Sequence, residues 1–288
     1  MTQDFGGEWT ERKLQTLETY AEMFAVALGR RFKLHYIDAF AGDGVGAQKR
    51  RNEPDGQSSF FPASNIDIIE GSASRLTDLP FGVFHFIDRN KNNVEGLKSL
   101  IERKEVPNAE VHHGDANELT VQILDSLGGS DRVLLFFDPF GLQVKWETLE
   151  RIARHQTKCD VWYLFPFFSI NRSIPNHAQN INPGMKASLE QCLGMKEKDI
   201  LKQVFTSESE PDLFGDEEGK TRKEAGVETL FVSRLTEIFE YVFPKPLRLR
   251  NGKGHHLFSL VLCSNNPSSN AHRLIERFAK HASANHDQ

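Results

Sequence analysis

Apolar positions along the chain switch between a period near 3.6 and short unbroken runs, and each switch marks an element. From residue 9 to about 31, Leu14, Leu17, Tyr20, Ala21, Phe24 and Leu28 recur at helical spacing behind Thr10-Glu11-Arg12-Lys13. That pattern predicts an amphipathic leading helix over 9–31 with the polar tetrapeptide in solvent. A strand over 33–40 follows, and its glycine-rich exit leads into 48–57, a charged stretch with Pro and Gly that reads as an exposed loop. Helices are expected over 63–76, 91–104, 117–127 and 145–154, the third of them closed by Gly128-Gly129. Strands are expected at 81–88, 110–113, 132–137 and 160–167. Within them Val133-Leu134-Leu135-Phe136-Phe137 is apolar at every position, the pattern of a parallel strand covered on both faces.

Strands and helices alternating at this spacing imply βαβ units, an α/β fold with a parallel Rossmann-like sheet. The second half is less regular. Residues 169 to about 226 hold Pro175, Pro183, Pro211 and the acidic run 208–218, and read as an insertion, helical over 186–205, with a loop at 212–220. A helix over 227–241, closing strands at 247–249 and 257–263 and a last helix over 271–280 complete the fold. With 288 residues the chain is near the upper limit for one hydrophobic core, so a single domain over 1–288 is expected.

Composition narrows the function without choosing it. A net charge of −5 gives no general attraction to polyanions, so any nucleic-acid contact needs a local basic patch. Lys49-Arg50-Arg51 and the group Arg248, Arg250, Lys253, His255 and His256 are candidates, with a solvated surface as the commoner explanation. Cys159, Cys192 and Cys263 are widely spaced, which suggests three reduced thiols rather than a disulfide framework or a zinc knuckle. None of the 11 histidines lies in an HxxxH or HxH array, so no metal site is expected. The N-terminus lacks the basic and apolar regions of a signal peptide, and no apolar run is long enough to span a bilayer; the expectation is a cytoplasmic protein.

Four acidic residues end, or closely follow, expected strands. Tyr36-Ile37-Asp38-Ala39-Phe40-Ala41-Gly42-Asp43-Gly44 is a strand, an acid and then a glycine turn, and glycines there let backbone approach a cofactor laid across the strand end. An ordinary βα turn is the alternative. Asp88 ends the second strand, where it can accept hydrogen bonds from both ribose hydroxyls, or act as the N-cap of the next helix. Asp115 follows the third strand and is placed to receive an exocyclic amine, with Ala116 offering a backbone amide; here too an N-cap is the alternative. Asp138-Pro139-Phe140-Gly141 closes the most apolar strand. A charge after such a run needs a reason, and a carboxylate beside a proline-stiffened turn and a ring can hold a planar amine. Phe167, Phe168 and, more weakly, Phe165 are candidates to wall a substrate pocket, and Asn171 and Arg172 to touch a phosphate.

Together these features resemble the class I S-adenosylmethionine-dependent methyltransferases. The resemblance implies a mostly parallel seven-stranded sheet with an antiparallel last strand and helices on both faces. Asp38, Phe40, Gly42 and Gly44 would then form the cofactor turn, Asp88 bind ribose, Asp115 and Ala116 bind adenine, and Asp138, Pro139 and Phe140 form the catalytic motif. Asp-Pro-Phe-Gly departs from the Asp-Pro-Pro-aromatic form of adenine-N6 enzymes and is similar to the motif of transfer-RNA guanine-N2 dimethyltransferases. Trp9-Thr10, Lys13, Phe86-Ile87-Asp88, Phe137 to Leu142 and the tail His256 to Leu262 before Asn265-Asn266-Pro267 are also similar to the bacterial three-Cys-motif partner protein family. That family is named for a separate partner carrying a cysteine motif suggestive of radical chemistry.

The function expected is a methyltransferase using S-adenosylmethionine on an exocyclic nitrogen of a nucleobase in DNA or RNA. The alternative is a non-catalytic cofactor-binding subunit that supports the three-Cys-motif partner. A nicotinamide oxidoreductase is disfavoured because Phe40 stands where GxGxxG has its first glycine.

Overall fold

The computed structural model describes residues 8–44, 48–49, 67–68, 71–173, 183–206, 221–222 and 226–284. Eight strands form one sheet: β1 (Lys33–Asp38), β2 (Val83–Asp88), β3 (Ala109–His113), β4 (Asp131–Phe137), β5 (Lys158–Phe165), β6 (Tyr241–Val242), β7 (Leu247–Arg250) and β8 (His256–Ser264). Their order is β3-β2-β1-β4-β5-β8-β6, with β7 also paired to β8. Strands β1 to β5 are mutually parallel and β8 runs antiparallel to β5. Strands β6 and β7 share one edge of β8, where Tyr241 faces Ser264 and Leu247 faces Leu260. They are one broken strand: Pro244 and Pro246 lie in the gap, and proline has no N–H to give to the ladder. The sheet is thus a seven-position, mostly parallel one with a single antiparallel strand, as expected.

Helices cover both faces. One core cluster joins β1, β4 and β5 to α4 (Ala116–Asp125), α5 (Trp146–Ala153), α7 (Pro183–Leu193), α8 (Glu197–Val204) and α9 (Gly226–Ile238). The other packs α1 (Glu8–Leu28), α2 (Ser72–Leu76), α3 (Lys91–Arg103) and α10 (Ser269–Ala284) on the opposite face. Every residue from Val133 to Phe137 is fully buried, as its unbroken apolar run requires. Cys159, Cys192 and Cys263 are buried and free of disulfides. Among the described residues no helix is long and apolar enough to cross a membrane.

Several sequence expectations change here. Lys13 does not face solvent: it lies on the buried face of α1 with Leu14, Leu17 and Tyr20 because it has an acidic partner on the sheet. The helix expected over 63–76 is confined to Ser72–Leu76 among the described residues, and Asp67–Ile68 pairs with Gln48–Lys49 as a short ribbon. Helix α4 is capped by Ser126 rather than Gly128-Gly129. Strand β5 stops at Phe165, so Phe167 opens α6 (Phe167–Ser173) instead of ending a strand. The helix expected over 186–205 is two helices. Leu193 ends α7, and its carbonyl accepts from Arg234 Nε at 3.3 Å, which satisfies a helix-end acceptor. Residues 50–57 and 212–220 lie outside the described residues.

Candidate functional site

The crevice lies at the carboxyl ends of β1, β2, β3 and β4. Two backbone bonds carry the pairing past the end of β1: Ala39 N to Phe136 O and Ala41 N to Ile87 O, both 3.0 Å. The chain is thereby held in line until Gly42, whose N–H donates to Asp88 Oδ2 at 3.0 Å. Gly42 and Gly44 have φ of 64° and 75°, left-handed values that suit glycine. A Cβ at Gly44 would lie 2.4 Å from Leu100 Cδ2 of α3, so this residue lets the turn close on the helix. Among the described residues, a Cβ at Gly42 would meet nothing within 4 Å.

Asp38 sits beneath this turn, fully buried. Its carboxylate accepts from Ser72 Oγ at 2.6 Å, Tyr36 Oη at 3.3 Å and Phe40 N at 3.3 Å. Burial pushes its carboxyl from 3.8 up to about 6; the Ser72 hydroxyl pulls it back and the charge of Asp138 adds to the rise. Asp38 therefore braces the turn from below, while the ring of Phe40 packs against Phe137 at 6.2 Å.

Asp88 is not the cap of α3. Asn90 is, accepting from Asn92 N at 2.9 Å. Asp88 instead holds Gly42 N with Oδ2 and Asn90 N, at 2.6 Å, with Oδ1. It ties the glycine turn to the β2 exit. Asp115 does cap α4, accepting from Asn117 N at 2.8 Å and Asn117 Nδ2 at 2.9 Å. Burial works against its charge, yet the two Asn117 bonds, with Lys145 and Arg89, leave its carboxyl below the ordinary value. Ala116 is buried as the first residue of that helix. Asn117 was not foreseen in the sequence. Its Oδ1 accepts from Lys145 N at 2.8 Å and Thr148 Oγ1 at 2.9 Å, and its Nδ2 reaches Gln143 O at 3.0 Å, so it joins the β3 and β4 exits.

At the end of β4, Asp138 Oδ2 accepts from Lys13 Nζ of α1 at 2.5 Å. This pairing is the reason a carboxylate is tolerated after five buried apolar residues. The spacing of Lys13, four residues before Leu17 and seven before Tyr20, puts it on the core face and not with the polar residues beside it. Pro139 is buried, whereas Phe140 is 75% exposed with its N–H held by Gln143 Oε1 at 3.0 Å.

The remaining candidates separate. Phe167 is buried and stacks on His256 with ring centroids 4.0 Å apart, so it packs α6 onto β8 rather than lining an open wall. Phe168, 38% exposed, remains available. Phe165 is buried and stacks on Phe231. The side chain of Arg172 and residues 50–51 lie outside the described residues. In the basic group near the C-terminus, Arg250, Lys253 and His255 are exposed, whereas Arg248 and His256 are engaged. Arg248 Nε donates to both oxygens of the buried Glu228 at 3.0 and 3.2 Å, and burial pushes His256 down to about 4, with Arg248 adding to the fall.

No protein-family model matches the chain, and no curated protein matches it. Solved structures do. The chain is similar to protein LPL1258 from Legionella pneumophila, at 10% identity with TM-score 0.48, over 94% of this chain and 92% of that one. It is similar to the N-terminal domain of EvdMO1, determined with SAH bound, at 12% identity and TM-score 0.38, over 86% and 79% of the two chains. A methyltransferase from Geobacter sulfurreducens is 14% identical with TM-score 0.30, over 49% and 56%.

Proposed function

We propose that the chain is an S-adenosylmethionine-dependent methyltransferase of the three-Cys-motif partner family, acting on an exocyclic nitrogen of a nucleobase in DNA or RNA. The observation that carries the cofactor reading is the Gly42 turn. Its left-handed backbone is anchored by Asp88, and a Cβ at Gly42 would have no atom of the described residues within 4 Å. The donor set around that space fits a charged nucleoside. Asp88 and Asp115 stand at adjacent strand ends with carboxylate lone pairs left for ribose hydroxyls and an exocyclic amine.

The cofactor supplies a methyl group already activated by a sulfonium, so the residues need to align and desolvate rather than move many protons. Asp138 is 28% exposed in its side chain and held at Oδ2 by Lys13, which leaves Oδ1 to accept an amine N–H. Were the methyl group passed to that nitrogen, the carbon–sulfur bond would break to leave a neutral thioether, and Asp138 Oδ1 would hold the acidified N–H until its proton passed to solvent. Phe140 and Phe168, both exposed aromatic rings, supply faces on which a flat base stacks.

One observation favours the second reading, a cofactor-binding subunit without transfer activity that supports the cysteine-motif partner: the carboxylate of Asp138 is already ion-paired with α1. Isothermal titration with S-adenosylmethionine, together with labelled-methyl transfer to bulk DNA, RNA and protein, separates the readings. Transfer that falls roughly 100-fold or more in Asp138→Ala, with cofactor binding retained, supports the enzyme. Binding without transfer to any polymer, with or without the partner, supports the subunit. Absence of binding removes both.

A further inference from the structure

Away from the crevice, on the face of the sheet that α4 covers, three histidines line up across neighbouring strands. His35 Nδ1 lies 3.2 Å from His85 Nε2, and His85 Nδ1 lies 3.2 Å from His112 Nε2. The ring centroids of His35 and His85 lie 5.5 Å apart, and those of His85 and His112 5.4 Å apart. Asp131 Oδ1 stands 3.4 Å from His35 Nε2 at one end, and Glu110 Oε2 stands 3.4 Å from His85 Nδ1 and 3.7 Å from His112 Nε2 at the other.

The carboxylate of Asp131, 3.4 Å from His35 Nε2 without a formed hydrogen bond, favours one order of protons in this row. His35 keeps its proton on Nε2, since a lone pair there would face an anion. His35 Nδ1 is then an acceptor, and His85 donates to it through Nε2–H. His85 Nδ1 is consequently the unprotonated nitrogen of its ring, a lone pair with His112 Nε2 3.2 Å away. That lone pair faces the Glu110 carboxylate at 3.4 Å, a contact of two electron-rich atoms that a cation between them turns from repulsive to attractive.

We propose that His85 Nδ1, His112 Nε2 and Glu110 Oε2 form a binding site for a divalent transition ion, with Zn²⁺ the best fit. The three atoms make a triangle with edges of 3.2, 3.4 and 3.7 Å. A tetrahedral zinc with ligands at about 2.0–2.2 Å spaces its ligand atoms about 3.3–3.6 Å apart, so the triangle matches three corners of the tetrahedron. His112 must move its ring proton from Nε2 to Nδ1, and the two rings, now nearly end to end, must turn toward the ion. His85 is buried, whereas Glu110 is 59% exposed in its side chain and leaves the fourth corner open to water. Asp131 and His35 form the outer layer that fixes the His85 tautomer, an arrangement usual behind metal-bound imidazoles. The ion would staple edge strand β3 to β2, the strands whose exits carry Asp115 and Asp88. The inference does not depend on the cofactor reading.

Chelator-treated protein dialysed against Zn²⁺ and then desalted should retain one ion per chain, gain thermal stability, and with Co²⁺ show the intense visible absorption of a tetrahedral site. Glu110 and His112 lie on the edge strand and can be replaced with little threat to the core. Glu110→Ala and His112→Ala, with circular dichroism unchanged, should weaken Zn²⁺ affinity at least tenfold and abolish the thermal shift. Asp131→Asn should weaken it by about tenfold. His113→Ala should bind as the wild type does, because His113 points to the opposite face and contacts Arg89 O at 3.1 Å. The proposal fails if the wild type retains no more Zn²⁺ than a Glu110→Ala/His112→Ala double variant, or if His113→Ala loses the ion as completely as His112→Ala.

Discussion

Gly42 and Gly44 stand two residues apart at similar left-handed φ, yet a methyl group added to each meets different surroundings. Gly44→Ala carries the left-handed penalty together with a clash against Leu100, and is expected to destabilise the protein by about 2–4 kcal/mol. Gly42→Ala carries only the first, about 1–2 kcal/mol, and its methyl would meet no atom of the described residues within 4 Å, on the side proposed for the cofactor. Chemical denaturation should therefore rank Gly44→Ala as the worse folder, while calorimetry should show the stably folded Gly42→Ala with S-adenosylmethionine affinity reduced tenfold or more. Unchanged affinity in Gly42→Ala would place the cofactor elsewhere. The glycines and the acids at the strand ends were legible in the sequence because strand ends in α/β sheets are marked by composition. The roles of those acids were less so. Whether Asp88 or Asn90 caps α3 depends on one turn of backbone, and both residue types serve equally well as caps.

At the scale of elements, α1 is attached to the sheet through two polar links as well as its apolar stripe: Lys13 to Asp138 and Tyr20 Oη to Asp160 Oδ2 at 2.7 Å. Burial pushes the Asp160 carboxyl from 3.8 up to about 6, against the hydroxyls of Ser264 and Tyr20. A raised folded value means that the native state holds this proton after the unfolded chain has lost it, so stability falls as pH rises from about 4 to 6. Below that window the penalty is absent; above it the full cost is about 3 kcal/mol. The buried neutral imidazoles of His85 and His256, lowered to about 3 and 4 by burial, act in the opposite sense and lose stability as pH falls below 6.5. A variant difference separates the two. Urea titrations should show Asp160→Asn gaining up to about 3 kcal/mol relative to the wild type between pH 4 and 7, and a gap independent of pH would show that Asp160 titrates normally. The place of Lys13 on the core face follows from its spacing, but the partners were not legible, because Lys13 and Asp138 are 125 residues apart and Tyr20 and Asp160 are 140 apart.

Over the whole molecule, α7 and α8 carry Leu189, Leu193, Ile200 and Val204 into the same cluster as Val133 and Phe137. We propose that the chain unfolds as one domain. Leu193→Ala, at a fully buried position, should lower a single calorimetric transition by roughly 5–15 °C, corresponding to about 2–5 kcal/mol. Two transitions, only one of them shifted, would make this segment a separate unit. The sequence by itself determined the alternation of β1 to β5 with their helices and the acid and glycine positions at the strand ends. Those follow from periodicity and turn chemistry within a few residues. Tertiary structure alone decided that Asp138 is the partner of Lys13, that Phe167 is buried packing while Phe140 is largely exposed, and that His85, Glu110 and His112 converge. Each of those outcomes depends on which strands become neighbours, and neighbours in this sheet come from segments far apart along the chain. The Gly42 turn, read first as one local motif, takes its shape from Asp88, 46 residues away.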